Sequence, residues 1–166
     1  HAKDRRQRQM CIRDSVKRVE KIDDHSGIVL TNGVFDILHK GHIELLKFSK
    51  NQGDKLIVAI DSDERVRQLK GEDRPINNEE DRRKVLETNR YVDSVVTFNS
   101  SEELKTLYET LCPDVVVKGS EWTADELRER DEIPDTIQVK VYPLVGDYST
   151  TNTMEKIRNM GSCEKI

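Results

Sequence analysis

His39 and His42 stand three residues apart in the segment Thr31-Asn-Gly-Val-Phe-Asp-Ile-Leu-His-Lys-Gly-His42, where a loop gives way to a helical pattern. Residues at i and i+3 share one helical face. Two imidazoles there, beside the free N–H groups of a helix start, form an anion site. Gly33 and Gly41 let a ligand approach the backbone. The chemistry that needs such a site is attack on a phosphate: charge grows on the phosphoryl oxygens, and preorganised donors stabilise it. On spacing alone, phosphate chemistry, a zinc site and a solvated or structural pair all stay open. Zinc lacks a third ligand at a suitable spacing, so no metal ligand set is expected from the protein.

The elements that must position this pair follow from the apolar pattern. Ile28-Val29-Leu30 reads as a buried strand running into a Thr31-Asn32-Gly33 loop, and Leu56 to Ile60 as a second strand. Val92 to Phe98, Val115 to Val117 and Val139 to Leu144 supply three more. Between them, Ile43, Leu45, Leu46 and Phe48 crowd with helical spacing before a stop at Gly53. Asp61-Ser62-Asp63 offers caps to a short helix through Leu69. Asn77 with Glu80 starts a helix running to about Arg90, and Ser100 with Glu103 precedes Leu104, Leu107, Tyr108 and Leu111. Thr123 with Glu126 caps a further helix, and Ser149-Thr150-Thr151 opens a last one near Met154 to Met160. Apolar strands alternating with amphipathic helices predict an α/β fold, a five-stranded parallel sheet covered on both faces.

Ligands of such sheets bind outside the carboxyl ends of the strands, at a switch point. Four groups of polar residues stand there: Asn32 to His42, Asp61 with Asp63, Lys118 to Trp122, and Ser149 to Thr151. Lys118 follows the fourth strand, where a lysine is out of place as core. Ser149, Thr150 and Thr151 set hydroxyls at a helix start, either as an anion site or as ordinary N-caps. Asp61 and Asp63 serve sugar hydroxyls or caps equally well. Taken alone, Lys70 and Arg82 read as surface charges, and Trp122 as packing.

Composition narrows the partners. The chain has 166 residues, 36% charged and 34% hydrophobic. No run approaches the ~18 apolar residues of a membrane span, and no signal peptide is visible. Cys11, Cys112 and Cys163 are far apart, with no metal or disulfide spacing, so a reduced cytoplasmic setting is expected. Residues 1–15 carry five basic and two acidic residues without an apolar period, and read as a non-native or disordered arm. Residues 16–166 read as one domain. Without the arm 23 basic and 30 acidic residues remain, a balance of −7 that does not suit nonspecific nucleic-acid binding. Phosphate substrates must then be held by a few placed cations and backbone N–H groups.

Asn32-Gly-Val-Phe-Asp-Ile-Leu-His-Lys-Gly-His42 resembles the His-x-Gly-His signature of the cytidylyltransferase-like nucleotidyltransferases. Leu69-Lys-Gly71, Arg74-Pro-Ile-Asn77, Val117-Lys-Gly119 and Ser149-Thr-Thr-Asn152 resemble further blocks, particularly those of the heptose 1-phosphate adenylyltransferases of lipopolysaccharide precursor synthesis. The resemblance covers about residues 25–160 and implies a Rossmann-like sheet. It also implies in-line attack by a sugar phosphate on the α-phosphate of a nucleoside triphosphate, ATP by preference, with Mg²⁺ held mainly by the triphosphate. By the same resemblance His39 and His42 contact the triphosphate and the transition state, and Lys70 and Lys118 supply cations. Thr31, Asn32, Gly33, Phe35 and Gly41 shape the nucleotide loop with Gly119, and Arg82 matches a family arginine. Asp36 orients a histidine or the metal's water shell, or caps the helix. Ser149, Thr150 and Thr151 bind phosphate, while Asp61, Asp63, Glu121 and Trp122 face the sugar or base. A homodimer and a separate sugar kinase are implied as well.

Two departures concern the substrate. Leu144 stands where glycerol-3-phosphate cytidylyltransferases carry an arginine, and Ser120-Glu-Trp122 stands where heptose enzymes carry Gly-Asp-Tyr. A cytidylyltransferase making CDP-glycerol or a similar product is therefore the alternative, and a noncatalytic nucleotide-binding protein is the alternative of another class.

Overall fold

The computed structural model describes residues 27–143, 146 and 148–160. The arm at 1–15 and the departure at Leu144 lie outside the described residues. Five strands, β1 (Ile28–Gly33), β2 (Lys55–Asp61), β3 (Ser94–Phe98), β4 (Val115–Gly119) and β5 (Gln138–Tyr142), alternate with six helices. These are α1 (Lys40–Lys50), α2 (Asp63–Lys70), α3 (Glu79–Glu87), α4 (Ser101–Leu111), α5 (Ala124–Arg130) and α6 (Thr150–Met160). All four strand pairings are parallel, in the order β3-β2-β1-β4-β5. This is the doubly wound α/β arrangement that the alternation predicts, and its order reverses between β1 and β4.

Both faces of the sheet are buried. Leu30, Ile57, Val96 and Val116 pack on one face with Leu104, Leu107, Tyr108 and Leu111 of α4. Val29, Val58, Val95 and Val117 pack on the other with Leu45 and Leu46 of α1 and Leu86 of α3. Period-two alternation within each strand assigns neighbouring residues to opposite faces.

Local boundaries shift where pairing or side chains intervene. The Thr31–Gly33 segment, read as a loop, is strand, because Asn32 and Gly33 pair with Ala59 and Ile60. The α3 cap is Asn78, not Asn77: the Asn78 side chain accepts from the Asp81 N–H, while Asn77 bonds to Asp36. α3 ends at Glu87 and β3 starts at Ser94, so 88–93 is a turn rather than the ends of both elements. α1 stops at an Asn51 cap, two residues before Gly53. Thr123 and Glu126 form the full reciprocal capping box on α5.

Arg82 ties the sheet to its loops from inside. It is 1% exposed. Nε donates to the Asn77 carbonyl, Nη1 to that of Val34, and Nη2 to the Asp61 carbonyl and Asp63 Oδ1, at 2.7–3.0 Å. One guanidinium therefore joins the loop after β1, the end of β2 and the start of α3. Charge-assisted bonds of this kind are strong, and breaking them strands buried acceptors. Arg82→Met is expected to destabilise folding by ~3 kcal/mol, and Arg82→Lys to rescue little because it lacks the fork. Urea denaturation of both variants checks this; a loss below ~1 kcal/mol would remove Arg82 from the role of strut.

Candidate active site

β1 and β4 pair only as far as Thr31 with Val117. Beyond that point the two strands part, and Asn32, Gly33, Lys118 and Gly119 line the opening. A cleft of about 280 Å³ lies over it. Its lining includes Asn32, Gly33, Phe35, Asp36, His39, Gly41, His42, Lys70, Gly119, Ser149, Thr150 and Thr151. Segments distant in sequence, as the four predicted strand-end groups are, converge here in part.

The histidine pair is built by the start of α1. His39 is the N-cap residue with an extended backbone, and its side chain makes no cap bond. The imidazole is thus free to lie on His42, with ring centroids 3.8 Å apart and planes 22° apart. The N–H groups of the first turn have no partner within the helix. Phe35 also meets the His42 ring, with centroids 5.2 Å apart and planes tilted by 47°. Its φ of +50° is left-handed, uncommon for a bulky residue and characteristic of functional turns. A Cβ at Gly41 would stand 3.1 Å from the His39 ring and 3.3 Å from Tyr148 Cβ, so a side chain there would press the His39 ring and Tyr148 aside by a few tenths of an ångström.

Burial lowers the pKa of His42 to about 4, helped by neighbouring His39 and Lys70, while a hydrogen bond to the Ile37 backbone acts in the other direction. Burial lowers His39 as well. At neutral pH both rings are therefore uncharged. Each neutral ring keeps one N–H to donate.

A second helix start faces the same cleft. Ser149 Oγ accepts from the Asn152 N–H, and the Ser149 carbonyl from the Thr153 N–H, so Ser149 caps α6. Thr150 Oγ1 donates to the Ile37 carbonyl, which fastens α6 to the loop before α1. N-capping and an open helix start coexist here, since the cap satisfies one N–H only.

Asp36 has a different task from the two expected. Its Oδ2 accepts from the Ile76 N–H and its Oδ1 from the Asn77 N–H, both at 2.9 Å, and Arg74 Nε stands 3.4 Å away. The carboxylate anchors the 74–77 loop beside the cleft; it touches neither histidine and does not cap α1. Among the described residues lining the cleft it is the one carboxylate, and among the described residues no group of three or more His, Cys, Asp or Glu is placed to hold a metal ion.

The remaining predicted residues lie outside the cleft. Thr31 is fully buried beneath it. Arg82 is the internal strut, which Asp63 neutralises. Asp61 pairs with Arg65 at 2.8 Å. Lys118 points to the opposite face of the sheet from Gly119, because consecutive strand residues alternate. There it meets Asp131 at 2.5 Å. Glu121 and Trp122 are exposed, and Trp122 stacks on Arg130, 5.1 Å from its guanidinium. Pleat direction and pairing partners decide these placements, and neither is visible in residue type.

The fold also brings in residues that sequence reasoning did not single out. Arg74, Tyr142, Pro143 and Tyr148 line the cleft. Tyr148 lies over His39 at 6.2 Å. The signal for Arg74 was its position in the Arg-Pro-Ile-Asn block; for the tyrosines there was none.

Residues 30–159 match the model of the cytidylyltransferase-like family. The bifunctional protein HldE of Koribacter versatilis (strain Ellin345) is 45% identical over 130 residues, which is 78% of this chain and 26% of the relative. The bifunctional protein HldE of Haemophilus influenzae (strain PittEE) is 45% identical over 132 residues, 79% of this chain and 28% of the relative. The chain thus spans about a quarter of the length of these curated relatives. A lipopolysaccharide core biosynthesis protein from Thermoplasma volcanium GSS1 superposes with a TM-score of 0.60 at 31% identity, covering 75% of this chain and 99% of that one. Pantothenate synthetase from Thermus thermophilus superposes with a TM-score of 0.56 at 13% identity, covering 86% and 68%, a likeness of fold alone.

The His42 environment has a measurable consequence. Between pH 6.5 and about 4 the unfolded chain carries a proton on His42 that the folded chain does not. Stability contributed by this site is therefore complete above the ordinary value and falls as pH drops through that window, by ~3 kcal/mol in all. In urea titrations from pH 7 to 4, His42→Asn should lose stability less steeply than the parent chain. Parallel profiles would contradict a buried neutral imidazole.

Proposed function

The chain belongs to the cytidylyltransferase-like family of nucleotidyltransferases, and on that premise we propose that it couples a nucleoside triphosphate to a sugar 1-phosphate with release of pyrophosphate. We assign ATP and a heptose 1-phosphate as substrates. The sequence blocks shared with the adenylyltransferases support this, as do the HldE relatives at 45% identity. The observation that carries the reading is the stacked His39–His42 pair between two helix starts, with Lys70 on the same cleft.

In this mechanism the triphosphate enters with its Mg²⁺ as substrate. The N–H groups of the α1 and α6 starts, the two imidazoles and Lys70 surround its β- and γ-phosphates. An oxygen of the sugar phosphate forms a bond to the α-phosphorus as the bond to the α,β-bridging oxygen breaks. The attacking oxygen is already anionic, so no general base is required. Negative charge moves onto the bridging oxygen and the departing pyrophosphate. The imidazole N–H groups stabilise it where it grows, and the Mg²⁺ carried by the triphosphate would supply further neutralisation of the leaving group. Catalysis is positioning and charge stabilisation, without a covalent enzyme intermediate. Tyr142, Pro143 and Tyr148 give the cleft flat apolar surface for the base.

The same reading places the reaction in the cytoplasm, in a homodimer, downstream of a kinase activity that phosphorylates the sugar. Among the described residues no helix is long and apolar enough to cross a membrane.

Pyrophosphate release, measured with each nucleoside triphosphate against sugar and polyol phosphates, tests the assignment. Turnover is expected with ATP and an aldose 1-phosphate; turnover only with CTP and glycerol 3-phosphate would overturn it. His42→Ala should lower kcat by about 100-fold or more with the fold intact. A near-normal rate in that variant would remove the pair from the chemistry.

A further inference from the structure

Two arginines near the histidine cleft are buried, and they use their nitrogens in opposite ways. Arg82 engages Nε, Nη1 and Nη2 on three backbone carbonyls and on Asp63. The cations of a second cavity, about 380 Å³, which shares Asn32 with the histidine cleft but opens on the other face of the sheet, are engaged too. There Lys118 and Arg130 share Asp131, and Arg65 holds Asp61. Arg74 is the exception. Its side chain is nine-tenths buried in the wall of the histidine cleft, and Nε is enclosed without a hydrogen-bond partner. Asp36 Oδ2 stands 3.4 Å from Nε, an ion pair rather than a hydrogen bond. Among the described residues no hydrogen bond engages this guanidinium. The loop does not depend on it either. Residues 74–77 are fastened to Asp36 through the Ile76 and Asn77 N–H groups and Asn77 Nδ2, and the Arg74 N–H turns back on the Gly71 carbonyl. A buried guanidinium has five N–H donors, and leaving them open away from water is unfavourable unless an anion arrives to use them.

We propose that Arg74 is a catalytic residue of the histidine cleft, a forked clamp on the phosphates of the triphosphate that stays on the pyrophosphate as it departs. The inference rests on the nucleotidyl-transfer reading. Position supports it, since Arg74 lines the same cleft as Lys70, His39, His42 and the two helix starts. Charge supports it as well. With both imidazoles neutral, Lys70 and Arg74 face the one carboxylate of the described lining, Asp36, and the cleft keeps an excess of positive charge. A guanidinium adds what the other donors lack: its planar fork meets two phosphate oxygens at once, whereas an ammonium acts as a point charge. When the bond from the α-phosphorus to the bridging oxygen breaks, the electron pair stays on that oxygen and the pyrophosphate gains the charge. Arg74 answers that charge with N–H bonds and keeps all its protons, because a guanidinium does not ionise near neutral pH. Asp36, itself held by two backbone N–H groups, fixes the guanidinium before the ligand arrives.

Calorimetric titration of the full chain with inorganic pyrophosphate reads the clamp without turnover. Arg74→Gln should weaken pyrophosphate binding by about tenfold or more, the scale of one lost charged hydrogen bond. Arg74→Lys should restore only part of it, because an ammonium lacks the fork. The kcat/KM for the triphosphate should fall in parallel, while the acceptor KM holds. Urea midpoints of both variants should stay near that of the parent chain, since no hydrogen bond within the protein is lost; this separates Arg74 from the strut Arg82. If Arg74→Gln fails to fold, Arg74→Lys carries the test, because it keeps a charge beside Asp36. Loss of the fold in both variants would make Arg74 a strut and overturn the clamp. Parental pyrophosphate affinity in a folded variant would overturn it too, while leaving nucleotidyl transfer standing. Weakened pyrophosphate binding in both variants, with no pyrophosphate released by the parent chain from any substrate pair, would keep Arg74 as an anion clamp and sink the transfer reading.

Discussion

The parting of β1 and β4 is the constraint on which the site depends. Parallel pairing holds as far as Thr31 and Val117, then stops. Up to that point the strands are apolar on both faces and fully buried. Past it, backbone and side chains face an opening that no neighbouring strand fills. Because the strand order reverses here, the connection after β1 leads to α1 on one face, while the polar end of β4 presents Lys118 to the other. The switch point of a doubly wound sheet is thus expressed as two polar cavities separated by Asn32.

Keeping that opening in shape requires buried polar struts. Arg82 binds three backbone carbonyls from three segments, and Asp36 receives two backbone N–H groups from the 74–77 loop. Both are charged, both are nearly inaccessible, and each satisfies loop groups that would otherwise be stranded away from water. Rigid placement of this kind suits a reaction in which the protein contributes geometry and field rather than bonds. The left-handed Phe35 and the close approach at Gly41 serve the same end, since they fix the imidazoles against each other.

The electrostatics of the two faces differ. The histidine cleft holds neutral donors, because burial, with His39 and Lys70 alongside, keeps His42 unprotonated. The opposite cavity holds charges already compensated: Lys118 and Arg130 on Asp131, Arg65 on Asp61.

The sequence by itself determined the alternation of elements, the parallel sheet and the placing of His39 and His42 together at the start of α1. Each of these depends on local spacing: apolar runs, capping residues, and the i, i+3 relation of His39 and His42. Family resemblance at Arg82 and Lys118 identified two important positions without their surroundings. What only tertiary structure decided was direction and partnership. Lys118 and Gly119 are neighbours in the chain, yet the pleat sends them to opposite faces. Arg82 reads as a surface charge in isolation, and becomes internal because the carbonyls of Val34 and Asp61, from distant segments, converge on it with that of nearby Asn77. Asp36 cannot be assigned its loop from sequence, for Ile76 and Asn77 are some forty residues away. Spacing along a chain encodes what lies on one element; which groups meet across elements is fixed only when the sheet assembles.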